Sequence, residues 1–163
     1  SEVKVLTHTL KINKVDEQNK PLSGAEFALY RNNVDSGKLK FVNEGNGTYR
    51  IATIDDETTT DTLVSPEGGV ITVKGLSEGH YVIEETKAPD GYAKLKNTIN
   101  KTISVDENAP QTVTVEEKVT NKTESWLPET GGMGTVIFTV VGVVGVLAIL
   151  STYFKKGKKR EEA

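Results

Sequence analysis

The chain has 163 residues, a formal net charge of −3, no cysteine and two histidines. That length accommodates one compact domain with short accessory segments rather than two cores. The lack of cysteine excludes disulfides and thiolate metal sites, and the acidic balance argues against nucleic acid as a partner.

No initiator Met, basic n-region or short apolar segment opens the sequence, so it is expected to be the C-terminal part of a longer, exported chain. Taken in order, runs of β-branched and aromatic residues recur between turn signals, and none before Gly134 keeps a helical period. The strand candidates are 6–15, 25–30, 38–42, 49–54, 70–73, 81–86, 101–105 and 111–121. Between them, Asn19-Lys20-Pro21, the Asn43 to Gly47 stretch, Pro66-Glu67-Gly68-Gly69, Pro89-Asp90-Gly91 and Asn108-Ala109-Pro110 carry turn chemistry. Short strands at this spacing predict an all-β sandwich over 1–122. The acidic, Thr-rich stretch 55–62 is expected to be a solvated loop, because it lacks the ligand spacing of a calcium loop.

Strand phase singles out three side chains. Leu10, Ile12 and Lys14 alternate onto one face, as do Tyr81, Ile83 and Glu85, and then Val113, Val115, Val119 and Asn121. A lysine, a glutamate and an asparagine are thereby placed at inward positions, where an unpaired charge is costly. The alternative is that each sits at a strand end and turns out to solvent. Glu117 shares the phase of Val115 and Val119, which predicts a bulge or an exposed interruption in the last strand.

Lys14-Val15-Asp16, Pro21-Leu22-Ser23-Gly24-Ala25-Glu26-Phe27 and Gly75-Leu76-Ser77-Glu78-Gly79-His80-Tyr81 precede the long motif Tyr81-Val82-Ile83-Glu84-Glu85-Thr86-Lys87-Ala88-Pro89-Asp90-Gly91-Tyr92. Together they resemble the collagen-adhesin B-type domain of Gram-positive pilins and adhesins, the last segment matching its E-box with Ile83 in place of leucine. The resemblance covers most of residues 6–122 and implies a prealbumin-like, Ig-like β-sandwich. It also implies an intramolecular isopeptide bond, with Lys14 as nucleophile, Glu85 as promoter and Asn121 as acceptor. Burial favours a neutral amine on Lys14 and a protonated carboxyl on Glu85, which could donate a hydrogen bond to the Asn121 carboxamide oxygen. Such a step is a single-turnover maturation, so the domain is not expected to be an enzyme.

After a linker at 123–126 comes Leu127-Pro128-Glu129-Thr130-Gly131, then an uncharged apolar run at 135–154 and a tail at 155–163 with Lys155, Lys156, Lys158, Lys159 and Arg160. Twenty residues at ~1.5 Å rise give a helix of ~30 Å, the thickness of a bilayer core, so a single transmembrane helix is predicted. The basic tail places the preceding residues outside the cytoplasm. The composite resembles the cell-wall sorting signal of Gram-positive surface proteins, which a sortase cleaves between the positions of Thr130 and Gly131. It implies transfer of the Thr130 acyl group to an amine, either of a peptidoglycan cross-bridge or of a pilin lysine. Sortase, the membrane before cleavage and further pilin subunits are the implied partners, and the cell wall is the implied destination.

His8 and His80 have no spacing that suggests a metal site, and no motif points to a cofactor or to catalysis on an external substrate. Asn46, Asn100 and Asn121 open three-residue glycosylation patterns, which carry meaning only in a eukaryotic secretory protein. The sequence is compatible with a structural stalk or pilin domain, with a ligand-binding adhesin domain and, third, with a single-pass membrane receptor.

Overall fold

The computed structural model describes residues 5–124. The sorting motif 127–131, the apolar run 135–154, the tail 155–163 and the end of the linker lie outside the described residues. Among those described, no helix is long and apolar enough to cross a membrane.

The strands are β1 (His8–Val15), β2 (Glu26–Arg31), β3 (Phe41–Gly45), β4 (Thr48–Ile51), β5 (Leu63–Val64), β6 (Val70–Leu76), β7 (Gly79–Lys87), β8 (Ile99–Ile103) and β9 (Thr114–Thr120). They form two sheets, in the orders β3-β4-β6-β1-β9 and β5-β2-β7-β8. Most pairings are antiparallel, but β1 pairs with β9 in parallel and β4 with β6 in parallel. The chain therefore begins and ends the domain side by side.

The sheets pack through the alternating apolar residues. Leu10 and Ile12 of β1, Phe27 and Leu29 of β2, Ile71 and Val73 of β6, and Tyr81 and Ile83 of β7 are all buried in one cluster. Each such side chain contributes on the order of 1.5–3 kcal/mol by leaving water. Phe41 and Tyr49 meet edge to face in the same core, with ring centroids 6.5 Å apart. At one side of the sandwich the Tyr49 hydroxyl accepts the Val64 N–H at 2.9 Å, joining the two sheets.

The strands differ from their expected bounds in informative ways. The third is displaced to β3, because Leu39 N–H bonds the Leu29 carbonyl instead of continuing the ladder. The fourth stops at Ile51, and Ile54 is almost wholly exposed. β5 follows the Thr-rich loop and is only a two-residue pairing against β2, too short to show a period. At Asn46 and Gly47, both with positive φ, the β3–β4 hairpin closes as the Asn-Gly sequence favours.

No bulge interrupts β9: its register with β1 runs unbroken from Thr9↔Thr114 to Val15↔Thr120. Glu117 keeps the inward phase beside Ile12, but β9 is an edge strand and lets it lean out of the core. There it meets Lys101 of β8, the edge of the other sheet, at 3.3 Å. The expected interruption is thus an ion pair across the seam of the sandwich.

Gly69 ties β6 to the end of β1. Its φ is +79°, and an added Cβ would lie 2.7 Å from the Lys14 carbonyl oxygen. Its own carbonyl accepts the Lys14 N–H at 2.8 Å, so the approach cannot relax without breaking a bond. Gly69→Ala is expected to lower stability by at least ~1–3 kcal/mol, read as a fall in the urea midpoint. An unchanged midpoint would contradict this packing.

Candidate functional site

Because β1 and β9 run in parallel with Lys14 opposite Val119, residue 121 lies two steps further along the same inward face. Asn121 remains in the ladder beyond β9, its N–H bonding the Val15 carbonyl at 3.0 Å. Glu85 approaches from β7 of the facing sheet. Lys14 and Asn121 are fully buried and Glu85 is 3% exposed, so none of them turns out to solvent.

Their contacts are specific. Lys14 Nζ donates to the Val15 and Val119 carbonyls at 3.0 and 2.9 Å. Asn121 Nδ2 donates to Glu85 Oε1 at 2.9 Å and to the Ala93 carbonyl at 3.0 Å. Glu85 Oε1 also accepts the Leu95 N–H at 2.9 Å. Two buried oxygens, Glu85 Oε2 and Asn121 Oδ1, have no hydrogen-bond partner among the described residues. Leaving such atoms unmatched costs ~1–3 kcal/mol each, and functional sites are where that cost is found. The carboxamide presents its nitrogen to Glu85, whereas the sequence reading had the oxygen there.

Burial pushes the Lys14 amine down from 10.5 to about 8, against the opposing pull of the Glu85 and Asp16 carboxylates. Asp16 Oδ1 is itself engaged by the Gln18 and Lys20 N–H groups at 2.8 and 2.9 Å, which closes the turn after β1. A readily neutralised amine, a carboxyl and a carboxamide, all buried, have the composition needed for acyl transfer from an amide to an amine. A cleft of about 270 Å³, lined by Glu84, Glu85, Lys94, Leu95, Lys96, Asn97 and Thr98, opens beside the carboxyl.

Other singled-out residues fall elsewhere. His8 is buried and its Nδ1 accepts the Val113 N–H at 3.0 Å, a contact that fastens the approach to β9. His80 bonds Thr102 and Asn100 on β8. Among the described residues no group of His, Cys, Asp or Glu could hold a metal ion. The backbone groups of Ala93 and Leu95 escape sequence reasoning, because they belong to an irregular segment whose side chains do not take part.

The strand order and the enclosed polar cluster define an all-β, prealbumin-like sandwich. The chain belongs to the SpaA family of prealbumin-like fold domains, which matches residues 8–119. The LPXTG cell wall anchor motif matches residues 119–162, making this a secreted, sortase-anchored cell-wall protein with a membrane-spanning precursor.

Similar solved structures include the minor pilin GBS52 of Streptococcus agalactiae, at 26% identity and a TM-score of 0.58, covering 77% of this chain and 48% of that one. A streptococcal ancillary pilin is 25% identical with a TM-score of 0.56, covering 75% of this chain and 34% of its own. The shaft pilin SpaA of Lactobacillus rhamnosus GG shares the fold at 21% identity and a TM-score of 0.51, with 75% and 49% covered. The chain spans about half or less of these pilins. No curated protein is significantly similar to it.

The Lys14 environment sets a pH dependence. In Asn121→Ala, which has no carboxamide to react, the folded amine loses its proton near pH 8 and the unfolded one near 10.5. Between these values the unfolded state binds more protons, so stability rises with pH across the window. Urea midpoints taken at about pH 8 and about pH 10.5 should show this rise relative to Lys14→Met/Asn121→Ala, and a flat or falling difference would contradict it.

Proposed function

We propose that this domain is a structural stalk or pilin module, held to the cell wall through Thr130 and stiffened by a self-formed isopeptide bond between Lys14 and Asn121. The observation that supports the covalent step is the buried cluster itself. The amine of the first strand, the carboxamide beyond the last and the carboxyl of β7 are enclosed together, with Glu85 hydrogen bonded to Asn121.

In the proposed step neutral Lys14 Nζ attacks Asn121 Cγ, and the Nζ–Cγ bond forms as the Cγ–Nδ2 bond breaks. Glu85 relays one proton from Nζ to Nδ2, which leaves as ammonia. Once Nζ and Cγ are held in contact, proximity would supply ~7–11 kcal/mol of the barrier. A crosslink closing so long a loop would add ~4–5 kcal/mol of stability, by analogy with a disulfide. The wall-linked form has sortase as its processing partner, and then a cross-bridge amine or a pilin lysine, and neighbouring pilin subunits.

Intact mass tests the covalent step. Residues 1–126 should weigh one ammonia less than their sequence, and a digest should contain a branched peptide joining Lys14 to Asn121. Glu85→Ala should restore the full sequence mass while leaving the sandwich folded. A full mass for the parent protein would overturn the crosslink.

Anchoring has its own test. Wall-released protein should end at Thr130, and Thr130→Ala should move the protein to the membrane or the medium. Mature wall material that retains Gly131 to Ala163 would contradict sortase attachment.

A further inference from the structure

Residues 91–95 lie against the outgoing chain. Glu124 N–H bonds the Gly91 carbonyl and Ala93 N–H bonds the Lys122 carbonyl, each at 2.8 Å, with Tyr92 and Thr123 bridged between them. This docking holds two backbone groups at the polar cluster: the Ala93 carbonyl against Asn121 Nδ2 and the Leu95 N–H against Glu85 Oε1.

Their chemistry is complementary. A carbonyl can only accept, so the amide atom facing Ala93 must be nitrogen, and the two ends of the carboxamide are thereby distinguished. Both hydrogens of Nδ2 are then used, one on Ala93 and one on Glu85. A backbone N–H can only donate, so Oε1, which receives Leu95 and Asn121, acts as an acceptor. Of the two carboxyl oxygens, the one left to carry a proton is the unpartnered Oε2.

We infer that the 93–95 segment is a positioning clamp for isopeptide formation: Ala93 orients the leaving nitrogen of Asn121, and the Leu95 N–H assigns the carboxyl oxygens of Glu85 their separate roles. This rests on the proposed Lys14–Asn121 reaction and names the groups that align it. Neither backbone group touches Lys14 Nζ in the hydrogen-bonding pattern, and both act through the side chains they hold. Leu95 also packs its side chain against the core, so its N–H and its side chain must be tested separately.

The full chain can be made by cell-free translation in detergent, with an ester replacing the 94–95 peptide so that only the Leu95 N–H is lost. Intact mass against time then reads ammonia loss. The ester chain is expected to mature about tenfold or more slowly, with its pH–rate profile displaced from the parent's because a hydrogen bond to the carboxyl is lost. Leu95→Ala keeps the N–H and should mature at close to the parent rate. An ester chain with the parent's rate and profile would overturn the clamp. So would slower maturation with an undisplaced profile, matched by an equal slowing in Leu95→Ala, since that is the signature of lost packing alone. If the parent itself never loses ammonia, the crosslink reading has failed instead.

Discussion

An amine, a carboxyl and a carboxamide share the apolar interior of this sandwich, and the placement of everything around them answers to that constraint. An isolated charge there would cost several kcal/mol even after relaxation. The core accommodates the amine by making it easy to neutralise and by giving Nζ two carbonyl acceptors. It accommodates the carboxyl through the Leu95 N–H and the Asn121 amide. What remains unmatched among the described residues is one oxygen each on Glu85 of β7 and Asn121 of the outgoing chain. The polar cluster is therefore satisfied enough to fold and incomplete in the way a reactive site would be.

The parallel pairing of β1 and β9 is what makes the cluster possible. Antiparallel neighbours can be joined by a hairpin, but a parallel pair needs the intervening chain to cross over, and here the whole domain is that crossover. Lys14 and Asn121 thus lie on adjacent chain segments at the same pole, far apart in sequence. Tension applied between the two ends of the domain would shear this ladder along its length. A covalent link at that pole would carry the load from one segment to the other without engaging the strands between.

Much of this was legible in the sequence because it rests on period-two alternation. Leu10, Ile12 and Lys14, and Tyr81, Ile83 and Glu85, share an inward phase that survives in the fold. The misread features have local causes. Phase alone left a bulge or an exposed interruption open at Glu117, and the edge position of β9, where Glu117 reaches Lys101, decides for the second. β5 was missed because two residues show no period. The orientation of the Asn121 amide was misjudged because it depends on the Ala93 carbonyl, and a backbone group in an irregular segment leaves no trace in residue types.

Pulling a single molecule of residues 1–126 by its two ends tests most directly the claim that load passes through Lys14 and Asn121. The account predicts that the parent shows no release of the chain between those residues, while Lys14→Ala yields a lengthening of roughly 380 Å, from ~106 residues at ~3.6 Å each. A parent molecule that lengthens by the same amount as Lys14→Ala would contradict it.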